Sequence, residues 1–229
     1  MLEFARPRHR LVWQVLESMN TTLLNSTQCF FAGGTRLVLE LGEYRESMDV
    51  DFMCSDRAGY RTLRNIITQR SFGPLFCEPV ELMREIRADM YGIRTFLLVD
   101  GQALKFEIIS EGRMSLAGVT IDPFPVPLLD RACCFAEKLL ANADRGRDES
   151  TRARDLIDLA FMSASWTKEE QLSGLEQALE VYGDAVLQEV TTELTRFEDR
   201  EFRKLCTTEL NVSNPRGLNR GLRKLRKLS

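Results

Sequence analysis

The six residues Met48–Met53, reading Met-Asp-Val-Asp-Phe-Met, constrain this chain more than any other segment. Their alternation is that of a β-strand, with Met48, Val50 and Phe52 on one face and Asp49 and Asp51 on the other. The apolar face demands a core, so the strand belongs to a packed sheet. The two carboxylates, at i and i+2, project side by side. Two like charges so placed raise one pKa unless a cation lies between them. Magnesium takes oxygen ligands and is commonly held by one or two carboxylates together with substrate phosphates. The pair is therefore a candidate metal site, though surface strands also carry such pairs by chance.

Two neighbouring segments narrow the reading. Cys29–Ala32 is short, apolar and aromatic and ends at Gly33-Gly34, after which 35–41 resumes helical spacing. Glycines between a strand and a helix let backbone N–H groups approach phosphate oxygens, and the helix start adds favourable partial charge. About fifteen residues separate this turn from the acids, room for one helix and a return to the next strand. Lys105-Phe106-Glu107-Ile108-Ile109 is a second alternating segment, and its Glu107 faces opposite to Phe106 and Ile108. Three acids on adjacent strands beside a glycine turn are the layout that two-metal phosphoryl transfer requires. Asp100 competes for the third place, but Asp100-Gly101 is a hairpin turn signal that explains it.

Around this centre the periodicity predicts a helix over 8–25, a helix over 59–70 and strands over 81–88, 93–99 and 103–110, with an edge strand over 114–121. Asp122-Pro123-Phe124-Pro125-Val126-Pro127 interrupts regular structure and marks a domain boundary. Beyond it, helices are expected over 128–143, 153–165, 168–181, 184–197, 199–208 and from about 216. The predicted fold class is α/β (α+β): a mixed β-sheet with helices over 1–125, then an all-helical domain over 126–229.

Composition excludes several classes. With 44% hydrophobic and 28% charged residues, the chain is neither disordered nor fibrous. No apolar run approaches the roughly 18 residues of a membrane span, and the first residues show no secretory h-region. Six cysteines without a Cys-x-x-Cys pair read as buried thiols rather than zinc ligands or disulfides, which points to the cytoplasm. The net charge of −3 is uneven: residues 211–229 hold six cations and no acid, which leaves −9 on residues 1–210. A basic tail on an acidic body suits an anionic partner such as nucleic acid, or is a solvated helix face.

Gly33-Gly34-Thr35-Arg36-Leu37, followed by Arg45-Glu46-Ser47-Met48-Asp49-Val50-Asp51-Phe52, resembles the signature of the nucleotidyltransferase AbiEii/AbiGii toxin family. Residues 129–141, with Lys138 near their end, resemble that family's A-x-K-L-x-A helix. Arg154-Asp155-Leu156-Ile157-Asp158-Leu159 is similar to its R-D-x-x-D-L motif. The resemblance spans roughly 28–160 and implies a nucleotidyltransferase-type mixed sheet followed by helices. It implies metal at Asp49, Asp51 and Glu107, and Gly33, Gly34, Thr35, Arg45, Ser47, Lys138 and Arg154 at the nucleotide. Lys138 and Asp155 are implied to matter for activity, Lys138 as a buried stem with an exposed amine that offsets phosphate charge. Asp158 reads as structural. Glu43-Tyr44 stands where relatives often carry a histidine, and His9, near a helix start, is not expected to be catalytic.

The implied activity is that of a bacterial type IV-like toxin. A nucleoside triphosphate and a divalent cation (magnesium or manganese) would serve transfer of a nucleotidyl group to an RNA acceptor such as tRNA, with a cognate antitoxin and no membrane partner. Two other readings remain open: transfer to a small acceptor such as an antibiotic, and a module that binds nucleotide or RNA without turnover. Arg145, Arg147 and Arg152 could add phosphate contacts, or could be neutralised by Asp144, Asp148 and Glu149 beside them.

Overall fold

The computed structural model describes residues 4–228. Its contacts divide into two compact units, one holding the chain up to Leu39 and Ser47–Asp130, the other Glu40–Glu46 and everything from Arg131 onward.

The first unit opens with α1 (Pro7–Glu17) and α2 (Thr21–Ser26), where the spacing predicts one helix over 8–25. The interruption has a local cause. The Asn20 side chain accepts a hydrogen bond from the Leu23 N–H at 3.0 Å and so caps a new helix. Next come β1 (Cys29–Ala32), α3 (Gly33–Glu40), β2 (Val50–Cys54) and α4 (Arg57–Ile66), the last capped by Asp56. The sheet is completed by β3 (Arg87–Ala88), β4 (Gly92–Val99), β5 (Gln102–Ser110), β6 (Gly118–Val119) and β7 (Leu128–Leu129).

Among the described residues these form one seven-stranded mixed sheet in the order β3-β4-β5-β2-β1-β7-β6. β2 runs antiparallel to β1 and parallel to β5, while β4 and β5 form the hairpin that Asp100-Gly101 announces. The two outer strands are shorter than the alternation suggests. β3 keeps two residues of 81–88 and β6 two of 114–121, with Leu82 making a single bridge to Leu97. β7, which pairs with β1 at Phe31↔Leu128, occupies the start of a predicted helix.

One face of the central strands builds the core. Phe31, Phe52 and Phe106 follow one another across β1, β2 and β5, with ring centroids 5.5 Å and 6.1 Å apart, and Phe72 and Phe76 pack on Phe106. Burial of Val50, Phe52, Phe106 and Ile108 fixes the register of β2 and β5, because a slip of one residue would turn the acids into the core.

The second unit is helical: α5 (Arg131–Arg145), α6 (Arg154–Ser165), α7 (Lys168–Tyr182), α8 (Ala185–Arg196), α9 (Arg200–Glu209) and α10 (Pro215–Leu225). α7 starts with a reciprocal capping box between Thr167 and Glu170. The segment Glu40–Glu46 is bound to this unit by Glu46 N–H to the Leu210 carbonyl and Ser213 N–H to the Tyr44 carbonyl. Five of the six cysteines are buried, as expected, and Cys77 is exposed. No described helix is long and apolar enough to cross a membrane.

Candidate active site

The acids of the sheet meet where β1 ends. Ala32 is in register with Asp51 on one side, and Glu107 is in register with Asp51 on the other. Strand pairing thus sets Asp51 and Glu107 on the same face of neighbouring strands, with Asp49 two residues before Asp51. Both aspartates are half-buried. Gly33 has φ +73°, and a Cβ there would lie 2.7 Å from Asp51 Oδ2. The position therefore requires glycine twice, for its backbone and for its bareness. α3 begins at this glycine and carries Gly34 and Thr35 in its first turn.

A second cluster of side chains meets the acids on this face. Lys105 Nζ donates to Glu107 Oε2 at 2.5 Å, and Arg94 Nε donates to Glu107 Oε1 at 2.8 Å. Burial alone would raise the Glu107 pKa, but Lys105 and Arg94 outweigh it and hold the carboxyl below its ordinary value. Burial likewise disfavours the Lys105 ammonium, yet its hydrogen bond to Glu107 and the charges of Asp51, Glu107 and Asp49 push its pKa up. Lys105 is thus a fixed cation within the field of all three acids. Neither Lys105 nor Arg94 was expected at the site. The signal for both was present: Lys105 and Glu107 share a strand face, and the Asp100-Gly101 turn brings Arg94 opposite Glu107.

The hydroxyls of Thr35 and Ser47 lie 2.8 Å apart, with Thr35 fully buried. The Ser47 N–H donates to His9 Nε2 at 3.3 Å, and His9 too is fully buried. His9 is therefore a support for the segment that leads into Asp49, a role that its place in a polar N-terminal stretch did not disclose.

Arg45, Lys138 and Asp155 belong to the helical unit. The Lys138 amine is buried, not exposed: Nζ reaches Asp155 Oδ1 at 2.8 Å and Asp158 Oδ2 at 2.7 Å. Arg45 holds both Asp158 oxygens at 2.7 Å, and the Tyr44 hydroxyl donates to Asp158 Oδ1 at 2.7 Å while its ring stacks on Phe161. Arg145 Nε donates to Asp155 Oδ2 at 2.7 Å. Desolvation raises the carboxyl pKa values, but the adjoining cations reverse it, holding Asp155 well below the usual carboxylate range and Asp158 below its ordinary value. Lys138 is held above its ordinary value, the two aspartates outweighing its burial. Asp158, expected to be structural, is the hub of this network. Arg154 is half-buried at the first turn of α6.

The remaining loop arginines are occupied, though by more distant acids than those beside them in sequence. Arg147 pairs with Glu189 at 2.5 Å and Arg152 with Glu209 at 2.5 Å.

The donor set in the sheet unit suits a hard divalent cation. Asp49 and Asp51 offer carboxylate oxygens beside a bare glycine, the ligand type that a hard cation takes. No group of three or more acids, histidines or cysteines in metal-holding geometry occurs among the described residues. Glu107 instead holds Lys105 and Arg94. A cation held by Asp49 and Asp51 would take its remaining ligands from phosphate and water.

A mixed sheet with paired acids beside a strand–glycine–helix turn is a layout suited to phosphoryl transfer. Comparison gives the family. Residues 14–211 match the nucleotidyl transferase AbiEii toxin, type IV toxin–antitoxin system, and the chain belongs to this family of nucleotidyltransferases. Among solved structures it is similar to a protein of H. pylori described as a candidate nucleotidyltransferase. That match has 19% identity and a TM-score of 0.49, and covers 100% of this chain and 99% of that one. It is also similar to JHP933 from Helicobacter pylori, with 19% identity, a TM-score of 0.48, and 100% and 96% covered. A third match is an antigenic nucleotidyltransferase-like protein from Paracoccidioides brasiliensis, with 12% identity, a TM-score of 0.35, and 94% and 93% covered. No curated protein matches the sequence.

Proposed function

We propose that this protein transfers a nucleotidyl group from a nucleoside triphosphate to a hydroxyl of an RNA acceptor, tRNA or a tRNA-like end, with magnesium or manganese at Asp49 and Asp51. The observation that carries the reading is the pressing of Asp51 onto bare Gly33, which sets the acids against the N–H groups that open α3. A divalent cation there would offset triphosphate charge and polarise the phosphoryl oxygens. Gly33, Gly34 and Thr35 hold phosphate through the helix start, with Ser47 beside Thr35. Lys105 lends a positive charge to the developing pentavalent phosphate, and Glu107 keeps Lys105 aimed across the acids. The acceptor oxygen bonds to the α-phosphorus, the bond from that phosphorus to the β-phosphate bridging oxygen breaks, and pyrophosphate leaves with the bonding pair. The proton of the acceptor hydroxyl passes to an aspartate oxygen of the pair.

Arg45, Lys138 and Asp155, with Arg154 at the start of the same helix, serve the reaction through the architecture of the helical unit, since the structure engages the Arg45 and Lys138 cations with carboxylates. A cognate antitoxin partner accords with the family.

Incubation of the protein with each labelled triphosphate and total RNA tests the reading. Wild type is expected to label RNA with one preferred nucleotide, and Asp49→Ala or Asp51→Ala to lower labelling by about 100- to 1,000-fold, the order of a lost transition-state charge contact. Labelling that survives either substitution would refute the assignment.

A further inference from the structure

The family match ends at residue 211 and α10 begins at Pro215, so this helix lies outside what the family accounts for. Its inner face is locked onto α6. Gly217, Leu218, Gly221, Leu222 and Leu225 are buried, and Gly221 packs on the Ala160 carbonyl with no space for a Cβ. The Asn214 side chain caps the first turn by accepting from the Gly217 N–H at 2.8 Å. The outer face is therefore held in a fixed geometry.

That face carries Arg216, Arg220 and Arg223, continued by Lys227 in the turn that closes the helix, all exposed. Spacings of four, three and four residues put them in one stripe on a helix of 3.6 residues per turn. Arg226 is paired with Glu198 at 2.7 Å and Lys224 leans on the Ala164 carbonyl at 3.4 Å. Among the described residues the four stripe cations have no acidic partner.

Helix stability does not account for them. Cations suit the last turn of a helix, which explains Arg223, but Arg216 stands at the positive end of the macrodipole. Arg216 with Arg220 and Arg223 with Lys227 are like-charge pairs at i,i+4, which oppose helix formation. A solvated face chosen for stability would intersperse glutamates, and residues 211–229 contain no acid at all. The stripe is retained against local electrostatics, on a molecule whose residues 1–210 sum to −9.

We propose that the outer face of α10 is a docking surface for the phosphodiester backbone of the RNA acceptor, contacting phosphates in a row without reading bases. Regularly spaced phosphates complement regularly spaced cations, and the contact needs no pocket, only a rigid positive rod. The inference rests on the RNA-acceptor reading given above.

The test uses the full chain, because truncation would strip buried leucines from α6. Binding of a fluorescein-labelled RNA hairpin is followed by anisotropy at several KCl concentrations, for wild type, for R220Q/R223Q and for R216Q/R220Q/R223Q/K227Q. Removing four phosphate contacts is expected to flatten the slope of log affinity against log salt by about 3, with the double variant about half of that. Affinity at the lowest salt should fall by at least tenfold, with helical circular dichroism unchanged. Hairpin binding with the wild-type slope in the fourfold variant would overturn the proposal while leaving the RNA reading intact. Absence of hairpin binding by wild type, with triphosphate still bound, would remove the RNA reading and the docking surface together. Loss of polyglutamate binding in the variant, with hairpin binding untouched, would assign the stripe to an acidic polypeptide and also overturn it.

Discussion

At Gly33 one methyl group is enough to disturb the proposed chemistry. The backbone there has φ +73°, which disfavours an L-residue by about 1–2 kcal/mol. The new Cβ would also press on Asp51 Oδ2 from 2.7 Å. Gly33→Ala is expected to lower the melting temperature by a few degrees and nucleotide incorporation by at least tenfold, the second effect exceeding what partial unfolding explains. Incorporation that falls only in proportion to the folded fraction would show that the carboxylate tolerates displacement. This glycine, Asp49, Asp51 and Glu107 were legible because alternation and turn chemistry are local. His9 was not, since its significance comes from a partner 38 residues away that only the fold brings within bonding distance, whereas the hairpin turn and the shared strand face already pointed Arg94 and Lys105 toward Glu107. Lys138 was legible as a residue and misread as an environment. Periodicity located its helix but could not show that Asp155 and Asp158 close over its amine.

Elements with long periodic runs could be read to within a few residues. α6, α7, α8 and α9 lie at 154–165, 168–182, 185–196 and 200–209, against expectations of 153–165, 168–181, 184–197 and 199–208. Two-residue strands such as β6 and β7 contain too few side chains to show any alternation, and they exist because β1 offers β7 an edge and β7 offers one to β6. The i,i+4 glycines of α10 have an equally physical reading. Gly221 lets that helix approach α6 until backbone meets the Ala160 carbonyl, while Gly217 makes room for the Phe161 ring and the Asn214 cap, so Gly221→Ala must push the two helices apart. Overpacking of this kind destabilises by about 1–3 kcal/mol, and thermal unfolding should shift down by several degrees. A shift of less than about one degree would mean that α10 relaxes freely, and would remove the rigidity on which its stripe of cations depends.

For the whole molecule, the buried network of the helical unit links stability to pH. Asp155 and Asp158 have folded-state pKa values depressed by Lys138, Arg45 and Arg145. Their contribution is therefore fully present above the unfolded carboxyl value near about 4 and is lost as pH falls through the lower folded values. Lys138 has a raised folded-state pKa. Its contribution is present below the unfolded value near about 10.4 and fades as pH rises through the folded one. Between these limits the network is pH-independent. Breaking it is costly, because removal of one partner strands the others in a desolvated site, an effect of about 3–5 kcal/mol for a buried pair. Asp158→Ala strands Arg45 and the Tyr44 hydroxyl and leaves Lys138 with Asp155 alone, and should fall in that range. Lys138→Met is the more informative change, since it leaves both aspartates with an arginine while taking away their shared cation. Their folded pKa values then move up toward the ordinary range, and acid unfolding should begin at higher pH than in wild type. Helical circular dichroism followed from pH 7 downward measures this midpoint. If wild type and Lys138→Met unfold at the same pH, the lysine adds nothing to the aspartates in the folded state, and a role outside this network has to be sought for its amine.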